Sequence, residues 1–222
     1  MEWHALPLSL ELAASTVAIL LPLGIVVARI LAWRRFPGRR LLEAVLALPL
    51  VLPPTVLGYY LLTAFAGDGA LGEAFAALTG HPLAFSFAGL LVASLIFNLP
   101  FAIQPMQRAF EGIGADIRAA AACCGMSGWR IFARIELPLA WPGVLSALVL
   151  TFAHTLGEFG VVLMVGGNIP GETRTIAIAI YDRVQAFDTR AAALMSAVLL
   201  ALSLAAIAIA YSTTWRSEPA RG

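Results

Sequence analysis

The groups that could do chemistry are few and widely spaced. Arg174 stands between Thr173 and Thr175 in a turn shaped by glycine and proline, GGNIPGETRT. A guanidinium fork matches an oxyanion, so Arg174 is a candidate anion contact. The alternatives are pairing with Glu172 or Glu158, or docking an external protein. Glu158 lies about 20 residues into an apolar stretch, about 30 Å along a helix. A carboxylate at mid-membrane costs roughly 2.5–3.5 kcal/mol, and less near the far end. It reads either as a gate residue bonded to the glycine-rich backbone that follows, or as a glutamate satisfied within the fold. It should not bind a dianion, because like charges repel. Asn98 and Gln104 could line a pathway or hold helices together. His4, His81 and His154 are far apart and show no metal-ligand spacing, and His154 reads as a packed, hydrogen-bonded histidine. Cys123 and Cys124 are adjacent, which suits neither a disulfide framework nor a zinc site; they read as small helix residues in a reducing compartment. All fourteen basic residues are arginine. Without lysine there is no phosphate-binding P-loop. No catalytic residue, metal or cofactor is expected, and any nucleotide chemistry belongs to another polypeptide.

The elements that position these groups are membrane spans. The chain has 222 residues and is 60% hydrophobic, far from a soluble composition. That length accommodates about five or six spans of about 20 residues. The expected spans cover residues 8–33, 41–65, 85–107, 139–165 and 191–215, within one domain over 8–215. Pro49, Pro53 and Pro54 should bend or break the second span. Broken backbone is tolerated only against protein or a wet cavity, so Pro53 and Pro54 are pathway candidates alongside Asn98, Glu158 and Arg174. Residues Gly67–Pro82 read as a polar loop. The stretch IAIAIYDRVQ is too short to span and reads as a re-entrant or interfacial helix. No arginine precedes Arg29, so the first apolar segment is not a cleaved signal. With five spans, eleven arginines share one side: Arg29, Arg34, Arg35, Arg39, Arg40, Arg108, Arg118, Arg130, Arg134, Arg216 and Arg221. Arg174, Arg183 and Arg190 face the other side among Glu172, Asp182 and Asp188. The positive-inside rule puts the N-terminus outside and the C-terminus in the cytoplasm. Net charge near zero argues against a nucleic-acid partner.

One cytoplasmic stretch, within the expected loop 108–138, is not needed to cross a bilayer. Asp116 to Cys124 is alanine-rich and helical by propensity, Gly125 ends that helix, and Ser127 or Gly128 starts another through Trp129. This helix–glycine–helix unit reads as a surface gripped by a partner.

The stretch resembles the coupling loop of ABC-importer transmembrane subunits. Ala120-Ala121, three residues, Gly125, nine residues, then Ile135-Glu136-Leu137-Pro138 match its E-A-A-x3-G-x9-I-x-L-P pattern. Ala119 stands where that family carries Glu, which bears on one polar contact to the partner. The resemblance implies an ATPase-docking role for Asp116, Ala119, Ala120, Ala121, Gly125, Trp129, Ile135, Leu137 and Pro138. Further matches narrow it. Thr155–Gly160 resembles the S-L-G-E-F-G of molybdate and sulfate permeases, and Asn168–Ile176 resembles the N-I-P-G-E-T-R-T of molybdate permeases. Phe36-Pro37-Gly38 and Leu48–Pro54 are similar to the same subgroup. The resemblance implies an all-α type I importer domain in a bacterial inner membrane. It also implies a homodimer, two separate ATP-binding subunits, and an extracytoplasmic protein delivering molybdate or tungstate. The rivals are a sulfate or thiosulfate permease, a secondary transporter, which would need internal inverted repeats, and a structural membrane subunit.

Overall fold

The computed structural model describes residues 4–215; Arg216 and Arg221, two of the arginines counted above, lie outside the described residues. Among these residues there are helices and no strand. In chain order they are α1 (Ala5–Trp33), α2 (Arg39–Val51), α3 (Pro54–Phe65), α4 (Ala70–Thr79), α5 (Phe87–Glu111), α6 (Ala115–Cys123) and α7 (Gly128–Ile131). A π-helical turn, Phe132–Glu136, then leads into α8 (Leu137–Gly157), α9 (Gly160–Gly166), α10 (Ile176–Gln185) and α11 (Thr189–Trp215).

Four stretches are long and apolar enough to cross a bilayer: Ala5–Trp33, Phe87–Glu111, Gly128–Gly157 and Thr189–Ala208. Helices α2 and α3, bent by 111° at a short break, are long and apolar enough only when counted together as one broken span. The bend falls where Pro53 and Pro54 remove successive backbone donors, and Leu52 and Pro53 are extended, with ψ of 135° and 137°. The sequence expectation differs in three places. Span four is not continuous to Val165. It stops at Gly157, Glu158 is extended, and Val165 sits in the separate helix α9. The connection expected over 108–138 is shorter, because α5 runs on to Glu111 and the fourth span begins at Gly128, while the helix–glycine–helix unit expected inside it is present as α6, Gly125 and α7. The presumed polar loop Gly67–Pro82 contains α4, whose Gly72 lies against the Phe65 and Ala66 carbonyls at the end of α3.

Helix α5 is the central post, packed by α1, α8, α2 and α9. Its buried face changes character along its length. Leu90, Ala93 and Phe97 join one apolar cluster with Leu12, Leu61 and Val162, while Ile103, Met106 and Phe110 join another with Ala28, Leu31 and Val144. Between the two clusters lie buried Thr16, Ser94, Asn98, Thr151 and Thr155. A polar band therefore divides the bundle at mid-depth. Helices α10 and α11 pack together at its side, and the Ile176 amide donates to Ser9 Oγ of α1 at 2.8 Å.

Candidate functional site

The docking unit is built locally. Helix α6 ends in a Schellman turn: Gly125 N–H donates to the Ala122 carbonyl at 2.9 Å and Met126 N–H to the Ala121 carbonyl at 3.2 Å. Gly125 has φ of +76°, a left-handed conformation that a residue with a Cβ adopts only at a cost. Ser127 Oγ then accepts from Arg130 N–H and starts α7. Asp116, Ala119 and Ala120 are exposed on α6, Ala121 is its buried residue, and Trp129 is 74% exposed. Ile135 lies in the π turn that follows, and Leu137 and Pro138 in the first turn of α8.

What holds the unit in place is Glu136, which is fully buried. Arg29 Nε of α1 donates to Glu136 Oε2 at 2.7 Å, and Arg118 Nε of α6 donates to Oε1 at 2.9 Å. The Arg118 guanidinium lies 3.9 Å from the centre of the Trp33 ring, and that of Arg29 lies 5.3 Å from the Phe132 ring. One carboxylate thus clasps the end of the first span, the docking helix and the start of the fourth span. The π turn makes this possible, since a π bulge admits an extra residue into the helix. Sequence reasoning passed over Glu136 as the variable position of the I-x-L-P pattern. The available signal was a carboxylate at the edge of an apolar run on the arginine-rich side.

Asn98 ties helices together in this fold. It is fully buried and fully engaged. Its Nδ2 donates to the Ser94 carbonyl at 2.9 Å and to Thr155 Oγ1 at 2.9 Å. Because Nδ2 faces a carbonyl, Oδ1 must be the atom 3.1 Å from His154 Nδ1, so that nitrogen carries the hydrogen. Ser94 Oγ lies 2.7 Å from Thr16 Oγ1, whose own hydrogen goes to the Leu12 carbonyl. The network thus ties α1, α5 and α8 together. His154 stacks against Phe101, with ring centres 4.1 Å apart. Asn98→Leu is expected to lower thermal stability by roughly 2 kcal/mol, several hydrogen bonds at the modest values found inside membranes, without loosening the docking helix. Unchanged thermal unfolding in detergent would refute the role.

The two broken spans meet. A Cβ on Gly160 would lie 2.8 Å from Pro54 Cβ, so the start of α9 rests on the start of α3. Glu158 Oε1 accepts from Val161 N–H at 2.9 Å, capping α9, and Oε2 stands 3.9 Å from His154 Nε2. Pro53 and Pro54 are exposed beside this junction, and so is Gln104 further along α5. Arg174 is engaged within the fold: its Nε donates to Asn168 Oδ1 and lies 3.8 Å from Asp182 Oδ2, while Asn168 Nδ2 also donates to Asp182 at 2.8 Å. Asp182 of α10, not among the pairings weighed from sequence, is thus one of its partners.

Paired helix breaks beside a polar band, with an exposed helix clasped to the span ends, define a multi-span transport subunit of a membrane. The chain belongs to the family of binding-protein-dependent transport system inner membrane components, whose sequence pattern matches residues 20–215. It is 44% identical over 209 residues to the molybdenum transport system permease protein ModB of Azotobacter vinelandii, covering 94% of this chain and 92% of that one. It is 42% identical to ModB of Escherichia coli strain K12, over 83% of this chain and 80% of that one. The E. coli sulfate transport system permease protein CysT is 35% identical, over 82% of this chain and 65% of that one. Among solved structures, a bacterial ABC transporter for the import of alginate superposes with a TM-score of 0.73 at 16% identity, covering 97% of this chain and 79% of that one. That last likeness is one of fold.

Proposed function

We propose that this chain is the membrane-spanning subunit of an ATP-driven importer of molybdate, forming the translocation path and coupling it to separate ATPase subunits. The observation that carries the reading is the 44% identity to a molybdenum permease over 94% of the chain, against 35% for the sulfate permease. The chain pairs with a second copy, since an isologous pair closes a pore simply. It receives its anion from an extracytoplasmic binding protein. Helix α6, with Asp116, Ala119, Ala120, Ala121 and Gly125, docks an ATPase. Trp129, Ile135, Leu137 and Pro138 continue that surface into the span. Pro53, Pro54 and Glu158 form the gate where the broken spans meet, and Arg174 shapes the outer turn.

The orientation places α6 in the cytoplasm and the N-terminus outside. Charge supports it: the clasp joins the end of the first span to the α5–α8 connection, so nine arginines gather at one end of the bundle. Arg174 and Arg183 at the other end are matched by Asp182 and Asp188. Reconstitution with the co-encoded ATPase and binding protein tests the function. Molybdate or tungstate, but not sulfate, should stimulate ATP hydrolysis when bound to the delivering protein. Stimulation by sulfate alone would replace the substrate, and absence of ATPase association would remove the coupling role.

A further inference from the structure

A cleft of about 680 Å³ opens between the last turns of α1 and the α7 turn. Ile25, Val26 and Ile30 give it an apolar wall along α1, Arg29 stands beside that wall, Arg34 closes it at the helix end, and Trp129 borders it. Among the described residues no acidic one lines it. The local charge is unbalanced. Arg29 and Arg118 share the single carboxylate of Glu136, and exposed Arg34 adds a third guanidinium. The apolar wall is open as well, with Val26 56% and Ile30 40% exposed. From Ile25 to Arg34 is about 13 Å along a helix, close to half the hydrocarbon thickness of a bilayer. The cleft therefore runs from Ile25 and Val26 at bilayer depth to Arg34 at headgroup level, with Arg29 between them and an exposed tryptophan at the level where such rings settle.

We propose that this cleft binds an anionic phospholipid of the cytoplasmic leaflet. The headgroup phosphate would sit on Arg29 and Arg34, with an acyl chain along Ile25, Val26 and Ile30. The proposal rests on the cytoplasmic placement of this end of the bundle given above. Charge complementarity selects the occupant: surplus positive charge favours a lipid bearing net negative charge over a zwitterion. A free phosphate would leave the apolar wall uncovered. Because Arg29 is also a clasp residue, a bound lipid would press on the element that holds the docking helix.

The test uses the permease purified with its ATPase, freed of excess lipid, and given equal amounts of phosphatidylglycerol and phosphatidylcholine. Native mass spectrometry should show about fivefold preferential retention of phosphatidylglycerol, the effect of one basic residue near a surface. Arg34→Gln should bring the ratio close to parity; Arg34 is exposed, so the core is spared. Trp129→Ala should weaken retention of both lipids. Equal retention by the wild type, as when a second copy or the ATPase covers the cleft, would overturn the proposal. So would a preference that survives Arg34→Gln. Orientation is read separately from Cys123 and Cys124, both exposed in the docking unit. An impermeant maleimide should label them in inverted vesicles only. Labelling from outside would overturn the cytoplasmic assignment, whereas lipid parity with cytoplasmic cysteines would overturn the lipid site alone.

Discussion

Glu136→Ala is expected to leave the chain in the membrane but to abolish coupled transport. The substitution leaves two guanidiniums with no carboxylate between them, one against Trp33 and the other against Phe132. Breaking a buried ion pair by removing one partner costs roughly 3–5 kcal/mol. The low end applies here, because the side chains of Arg29 and Arg118 are 36% and 34% exposed and can rehydrate. A loss of about 3 kcal/mol would show as a marked fall in thermal stability. The functional loss should exceed it. Helix α6 touches the bundle through few side chains, Ala121 being its buried residue, and without Arg118 pinned to Glu136 it can shift against the spans it is meant to drive. A control separates coupling from stability. The apolar triple Arg29→Met, Arg118→Met, Glu136→Leu removes all three charges, a change that is often neutral or stabilising. It should recover thermal stability while ATP hydrolysis remains uncoupled from uptake. Recovery of uptake along with stability would reduce the clasp to a structural tie.

Glu136 also shows where the sequence ceased to be readable. Its local signs, an apolar run with Ile135 and Leu137 on either side, belong to a span. Its partners stand 18 and 107 residues away, and no spacing rule connects them. The spans themselves were readable because apolar length is a local property. So was the bend at Pro53 and Pro54, since a missing donor acts where it stands. Gly125 was readable for the same reason: a Schellman turn needs a left-handed residue at one position. From sequence Asn98 stays open between pathway and packing, because its partners His154 and Thr155 come from another span. Arg174 looked like an anion contact through its threonine neighbours, and only the fold brings Asp182 back to it across the turn into α10. The break at Glu158 was missed because hydropathy averages over it. The carboxylate caps α9 from outside the helix, and capping can end a span that composition alone would continue.

A second large effect is expected where α5 and α8 cross. A Cβ on Gly143 would lie 2.4 Å from Ala109 Cβ and 2.7 Å from the Pro105 carbonyl oxygen. Neither neighbour is the far end of a flexible side chain, so even alanine must push the helices apart. Small residues at such crossings let backbones approach without a hydrophobic drive between them. Spreading the pair would loosen the Met106, Phe110 and Val144 cluster and tilt α8 away from the clasp at its start. Overpacking a close-packed site costs typically about 1–3 kcal/mol, and Gly143→Val should stand at the upper end. Gly128→Ala is the matched control: nothing lies within 4 Å of its Cβ position, so it should be nearly silent. Pairing Gly143→Ala with Ala109→Gly removes the closer of the two clashes but leaves the Pro105 carbonyl. Rescue should therefore be partial, read as the yield of monodisperse, ATPase-competent permease. Full rescue would place the contact in side-chain packing alone. Wild-type yield for Gly143→Val would mean that the two spans do not cross at this glycine.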